Sequence, residues 1–223
     1  LYYQEGELLG LLTVYADDED VEVSILVDPS HRRQGVGRAM YRSFEKDMAP
    51  YPIRSVTFQT ERIFLDRHPD LVSHWGVVED EETETWLGRD KTPYALDSRS
   101  DVKVLLAEPS YLDEIAQLHH QAFSDPEETL DVSRRYITEA LKDSDGLLYI
   151  LLKEAQVIGV CTVDLSGNSN CLYGLAIAEA YRGQGYGSYL AKSVVNQLIE
   201  QNDKAFQIAV EDSNIGAKRL YEN

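Results

Sequence analysis

Positive charge is scarce in this chain. Its 223 residues hold 21 Lys and Arg against 39 Asp and Glu, a formal net charge of −18. A nucleic-acid binder needs a basic footprint for the phosphates, so that class is excluded. Cysteine is scarcer still. Cys161 and Cys171 sit in apolar runs, without metal-ligand spacing or a disulfide framework. No apolar run reaches the length of a membrane span, and none resembles a secretory leader. The five histidines make no ligand set, because His119 and His120 adjoin and leave a helix on different faces. The expectation is a cytoplasmic protein with reduced thiols, no metal, no membrane or nucleic-acid partner, and a monomeric or homodimeric state. The acidic runs at 17–20 and 79–84 read as solvated hairpin tips. At 43% apolar residues, the length suits one large domain or two small ones.

Against these absences stands one device, used twice. Leu172 to Ile177 is an apolar strand. A glycine-rich turn, Arg182-Gly183-Gln184-Gly185-Tyr186-Gly187, follows it. An amphipathic helix then leaves, marked by Leu190, Val194 and Leu198. The same order occurs earlier, from strand 24–27 through Arg32-Arg33-Gln34-Gly35-Val36-Gly37 to a helix with Met40, Phe44 and Met48 on one face. Glycines let backbone approach an anion, and the helix N-terminus favours negative charge there. Arg32 and Arg182 each add a permanent cation with a planar fork of donors. A dinucleotide fingerprint would need a third glycine, and a P-loop would need Gly before Lys192-Ser193, where Ala191 stands. Two copies about one domain apart imply a duplicated domain rather than a solenoid.

Arg-x-x-Gly-x-Gly after an apolar strand resembles the acyl-CoA pyrophosphate loop of the GNAT (GCN5-related) N-acetyltransferase superfamily. Asn214-Ile-Gly-Ala217-Lys-Arg-Leu220-Tyr221 resembles the Asn-x-x-Ala-x-x-Leu-Tyr helix of the same family. The resemblance implies an α/β (α+β) chain of two tandem GNAT-like domains. Each would be a mixed, mostly antiparallel twisted sheet flanked by helices.

The pattern along the chain fits that order. The second copy reads β-α-α-β-β-β-α-β-α. It has strands near 102–107, 147–153, 157–165, 171–177 and 205–210, and helices from 111, after Asp125-Pro126, after Gly185 and from Asn214. The first copy reads strand 8–15, strand 21–27, helix 35–48 and strand 55–60. A helix interrupted at His68-Pro69 and a closing hairpin of 77–78 with 83–87 follow. Residues 90–101 lack periodicity and read as a linker. The expected domains are 1–97, degenerate and short of its opening strand and helices, and 98–223, the catalytic domain, short of its last strands. The chain opens on Leu1 rather than Met, so a native N-terminus before it is expected.

By resemblance, acetyl-CoA is the co-substrate and an amine the acceptor. Backbone of Leu175, Ala176 and Ile177 would hold the pantetheine and thioester. Arg182 through Gly187, with Ser188, would hold the pyrophosphate. Ile25, Leu26, Val27 and Arg32 through Gly37 are the first-copy equivalents. Asn214 is a helix cap, a contact to the pantetheine side, or both. Tyr221 would protonate the leaving thiolate. The base that accepts the amine proton is Glu211 or Asp212 in the second copy, and Glu22 is a candidate in the first. The first copy has no counterpart of Asn214 or Tyr221, so the chemistry is expected in the second. The alternative is a non-catalytic acyl-CoA-binding regulatory or interaction protein.

Overall fold

Alternating apolar residues open the chain as strands: β1 (Tyr2–Gln4), β2 (Glu7–Asp17) and β3 (Asp20–Val27). The structure, a computed structural model, describes residues 1–17, 19–80, 82–124 and 128–222. β2 and β3 run antiparallel in unbroken register from Gly10–Val27 to Asp17–Asp20. The acidic residues close this hairpin, with Asp18 outside the described residues. α1 (Val36–Met48) brings the chain back, and β4 (Ser55–Phe58) joins β3 in parallel. Val36, Met40 and Phe44 recur every fourth residue and form the buried stripe of α1, with Phe44 packed on Val21 and Val23. Pro69 separates α2 (Arg62–Arg67) from α3 (Leu71–Trp75), because the residue before proline disfavours the helical conformation. These elements make the first unit, Leu1–Glu79, with sheet order β1-β2-β3-β4.

The second unit, Asp80–Asn223, holds β5 (Glu84–Arg89), β6 (Val102–Leu106), α4 (Leu112–Phe123), α5 (Leu130–Ala140), β7 (Gly146–Lys153), β8 (Gln156–Asp164), β9 (Ser169–Ile177), α6 (Tyr186–Gln201), β10 (Ala205–Glu211) and α7 (Ile215–Tyr221). The sheet order is β5-β10-β9-β8-β7-β6, antiparallel except for β9 with β10. Its middle strands are buried on both faces. α4 and α5 cover one side through Ile115, Leu118 and Ile137. α6 covers the other through Leu190, Val194 and Leu198, each fully buried. Burial of such a side chain stabilises the fold by about 1.5–3 kcal/mol. The two sheets flanked by helices are the expected architecture. The helix expected over 130–141 is α5, and the Asp125-Pro126 signal that precedes it lies outside the described residues.

One boundary is corrected. The stretch read as a closing hairpin of the first copy does not pair with residues 77–78. As β5 it pairs with β10 over six residues, from Phe206–Arg89 to Glu211–Glu84. The compact units therefore divide between Glu79 and Asp80, not between 97 and 98. The supposed linker is also tied down. Asn196 of α6 accepts from the Tyr94 backbone N–H at 2.8 Å and donates to its carbonyl at 2.9 Å. The Arg89 guanidinium stacks 3.7 Å over the Tyr94 ring. A lack of periodicity here marks a strap whose contacts are specific rather than repeating.

Candidate active site

The two glycine turns are built alike, with counterpart residues 150 positions apart. Each begins with a single 3₁₀ turn, Pro29–His31 and Glu179–Tyr181. Arg32 Nε donates to the Val27 carbonyl at 3.1 Å, and Arg182 Nε to the Ile177 carbonyl at 2.9 Å. Gln34 and Gln184 donate to the Ser30 and Ala180 carbonyls, both at 3.0 Å. Gly35 and Gly185 cap the helices at φ 88° and 81°, conformations that an L side chain adopts only with strain. A Cβ on Gly35 would meet nothing within 4 Å, and one on Gly185 only Arg99 Nη1, at 3.8 Å. The glycines are thus there for backbone shape, and each helix starts with open space before its first N–H groups.

The strands that feed these turns differ. β3 has no irregularity, and Ile25, Leu26 and Val27 pair in sequence with Leu12, Leu11 and Gly10. In β9 the register shifts. Val160 faces Ala176 and Thr162 faces Tyr173, so Cys161 stands opposite two residues, Gly174 and Leu175. This is a β-bulge with Gly174 at φ 58°. The parallel ladder between β9 and β10 ends at Leu172–Ile208, just before it, and β10 continues along β5. Past that point, the β9 edge holding Leu175, Ala176 and Ile177 has no ladder partner in β10. A glycine inside an apolar strand was the available sequence signal for the bulge.

α7 closes over this opening. Leu220 reaches 2.8 Å from where a Gly187 Cβ would lie, next to Ile177 and Leu175. The Asn214 side chain caps α7 by accepting from the Ala217 N–H at 3.0 Å, the structural half of its expected role. Tyr221 stands beside Cys161. Burial, with a smaller push from the Cys161 thiol, raises the phenol to about 12, so it holds its proton at neutral pH. Tyr221 also lines a cavity of about 510 Å³ with Ser188, Ala191, Lys192 and Ile208.

Of the two acids at the end of β10, Asp212 is the one already engaged by donors. It accepts from Thr83 and Thr85 hydroxyls at 2.7 and 2.6 Å and from Lys218 at 2.7 Å. These donors hold its carboxyl well below the usual range, and through Asp212 they tie Lys218 of α7 to Thr83 and to Thr85 of β5. Glu211 is exposed and stands opposite Glu84 in the ladder, like charges side by side. Val210, its neighbour in the strand, is buried and Glu211 alternates away from it. In the first unit Glu22 accepts from Gln59 at 2.8 Å. Sequence reasoning missed Arg99, Asp101 and Lys153, which gather around Tyr186 at the turn of the second unit. They lie in unpatterned or edge positions and carry no motif.

Comparison with known proteins bears on the family and the fold. The sequence matches the acetyltransferase (GNAT) family over residues 1–86 and 112–223. A protein of Clavibacter sepedonicus named mycothiol acetyltransferase is 26% identical over 230 residues, covering 97% of this chain and 73% of that one. A GCN5-related N-acetyltransferase from Sphaerobacter thermophilus superposes with a TM-score of 0.75 at 17% identity, over 98% of this chain and 73% of its own. A tandem GNAT protein from the clavulanic acid biosynthesis pathway gives 0.72 at 14% identity, over 99% and 77%. The chain belongs to the acetyltransferase (GNAT) family, with two GNAT-like domains in tandem.

Proposed function

We propose that the second unit transfers an acetyl group from acetyl-CoA to an amine by direct attack in a ternary complex. The observation that carries the proposal is the bulged opening between β9 and β10, with a glycine turn and helix N-terminus at one end and a half-buried phenol, raised to about 12, beside it. The turn from Arg182 to Ser188 would take the pyrophosphate on backbone N–H groups, as helix N-termini do. The unpaired edge of β9 at Leu175, Ala176 and Ile177 offers backbone partners for the pantetheine amides and a donor for the carbonyl oxygen as its charge grows. The amine nitrogen bonds to the thioester carbon and the carbon–sulfur bond breaks. Glu211, directly or through water, takes the amine proton, and Tyr221 gives its proton to the thiolate.

The named relatives support acetyl transfer. The amine class of acceptor rests on the family resemblance, and the −18 charge favours an acceptor that is cationic in solution. Its ammonium must lose a proton before attack, and an alkylamine near pKa 10.4 is mostly charged at pH 7. Release of free thiol from acetyl-CoA, measured over a panel of polyamines, aminoglycosides, amino acids and short peptides, tests the proposal. Tyr221→Phe is expected to lower kcat about 10²-fold with little change in KM for acetyl-CoA. Because the phenol is raised, the wild-type rate should climb with pH and show no falling limb from Tyr221 below about pH 10. Unchanged kcat in Tyr221→Phe at every pH would remove the phenol from the reaction. No thiol release with any acceptor, despite acetyl-CoA binding, would favour a non-catalytic acyl-CoA-binding role.

A further inference from the structure

We propose that Arg99 is a positioning residue for the phosphates, acting on the turn of the second unit from behind; this rests on the proposal that the turn holds the CoA pyrophosphate. Arg99 Nη1 donates to the Gln184 carbonyl at 3.2 Å across 85 positions of sequence. In a trans peptide the carbonyl of one residue and the N–H of the next point in opposite directions. By holding the Gln184 carbonyl, Arg99 turns the Gly185 N–H to the opposite side of that peptide, away from the guanidinium. Gly185 lies at φ 81°. A glycine turn has many alternative conformations, so aiming its N–H groups needs an outside constraint.

Arg99 is itself well fixed. Its guanidinium stacks 4.0 Å over the ring of Tyr186, the first residue of α6, and its Nε lies 3.5 Å from Asp101 Oδ1. Asp101 accepts from the Tyr186 hydroxyl at 3.0 Å and from Lys153 Nζ at 2.7 Å. Lys153 also donates to the Tyr186 oxygen at 2.9 Å. The phenol is thus held on its face by Arg99 and at its oxygen by Asp101 and Lys153. The Lys153 ammonium and the Tyr186 hydroxyl keep the Asp101 carboxyl down at about 2, so the group stays charged through the neutral range. Two cations and one carboxylate leave one positive charge at the start of a 16-residue helix, which adds to the field of its N-terminus. The turn of the first unit has no such phenol, because Val36 stands at the position of Tyr186.

The test compares two acyl donors on the full chain: acetyl-CoA, and acetyl-pantetheine, which lacks the phosphates. In Arg99→Ala, calorimetric affinity for acetyl-CoA and its KM should worsen about ten- to hundredfold, with kcat little changed, the range of a lost bond serving a charged ligand. Turnover of acetyl-pantetheine should stay at the wild-type level. Arg99→Lys restores the charge but not the planar stack, and should recover only part of the affinity. Equal acetyl-CoA affinity in wild type and Arg99→Ala would overturn the proposal. So would equal losses for both donors, which would make Arg99 a support of the fold, or full recovery in Arg99→Lys, which would leave charge alone. Should Arg99→Ala not fold, Arg99→Lys against wild type still decides by the same donor comparison. Absence of acetyl-CoA binding in wild type would instead remove the reading of the turn itself.

Discussion

The first unit repeats the turn of the second without its surroundings. Backbone angles, arginine bond and glutamine bond recur 150 positions apart, yet what lies behind each turn is opposite in kind. Behind the second turn β9 bulges at Gly174 and a cavity opens beside Tyr221. Behind the first, β3 is regular, and Tyr41, Phe58 and Trp75 pack with ring centroids 5.2–5.6 Å apart. The counterparts of Tyr41 and Phe58 are Ala191 and Ile208, both in the cavity wall. Trp75 is 3.9 Å from a Cβ built on Gly37, and Leu220 occupies the matching place at Gly187. The shape of the glycine turn is therefore separable from the open space behind it. The aromatic cluster supports the proposal that the first unit is degenerate toward acyl-CoA.

The largest expected effect concerns where the second unit begins. If β5 is part of its sheet, a chain of residues 80–223 should unfold cooperatively in urea. A chain of 98–223 should be unfolded or aggregated. The shorter piece loses a six-residue ladder on β10, the Thr83 and Thr85 bonds to Asp212, and the Tyr94 bonds to Asn196. At about 1 kcal/mol per hydrogen bond, the loss is on the order of 5 kcal/mol or more, comparable with the whole stability of a domain. Equal stability of the two pieces would return β5 to the first unit.

This boundary also shows what the sequence could and could not disclose. Strand, turn and helix around both glycine motifs were legible, because period and glycine spacing are local properties. Every strand from β6 to β10 was legible for the same reason. The partner of β5 was not, since alternation in Glu84–Arg89 describes a half-buried strand without naming its neighbour. Nor was the aromatic cluster, whose members at 41, 58 and 75 meet only after the sheet and α1 have formed. Asp212 looked as suitable a base as Glu211 until Thr83 and Thr85, well over a hundred positions away, were seen to hold it.

A matched pair of substitutions separates shape from ligand binding. Gly185→Glu and Gly35→Glu each force a side chain into a left-handed conformation with no close packing around it, at about 1–2 kcal/mol of stability each. Only at Gly185 should acetyl-CoA binding be largely lost, since on the proposed reading a carboxylate there would also meet the pyrophosphate. Calorimetry beside urea unfolding resolves the two effects. Equal losses of affinity would mean that both units bind acyl-CoA despite the aromatic cluster, and undiminished affinity in Gly185→Glu would make that turn structural only.

The smallest effect lies two residues earlier in each turn. Gly183 sits at φ 73°, and its counterpart Arg33 sits at φ 61°, a region where Cβ crowds the following carbonyl. The second unit thus meets the left-handed position with the residue suited to it, and the first with one that is strained. Relief of that strain gains about 1–2 kcal/mol. Glycine also gives the unfolded chain more freedom, which offsets part of the gain. Arg33→Gly should therefore raise stability by about 0.5–1 kcal/mol, and Gly183→Arg should lower it by a similar amount. Urea midpoints on the full chain, with slopes compared to wild type, measure both. Opposite signs are the signature of one shared backbone shape carrying two different residues. A Gly183→Arg chain as stable as wild type would show that the two turns, despite their matching bonds, are not under the same constraint.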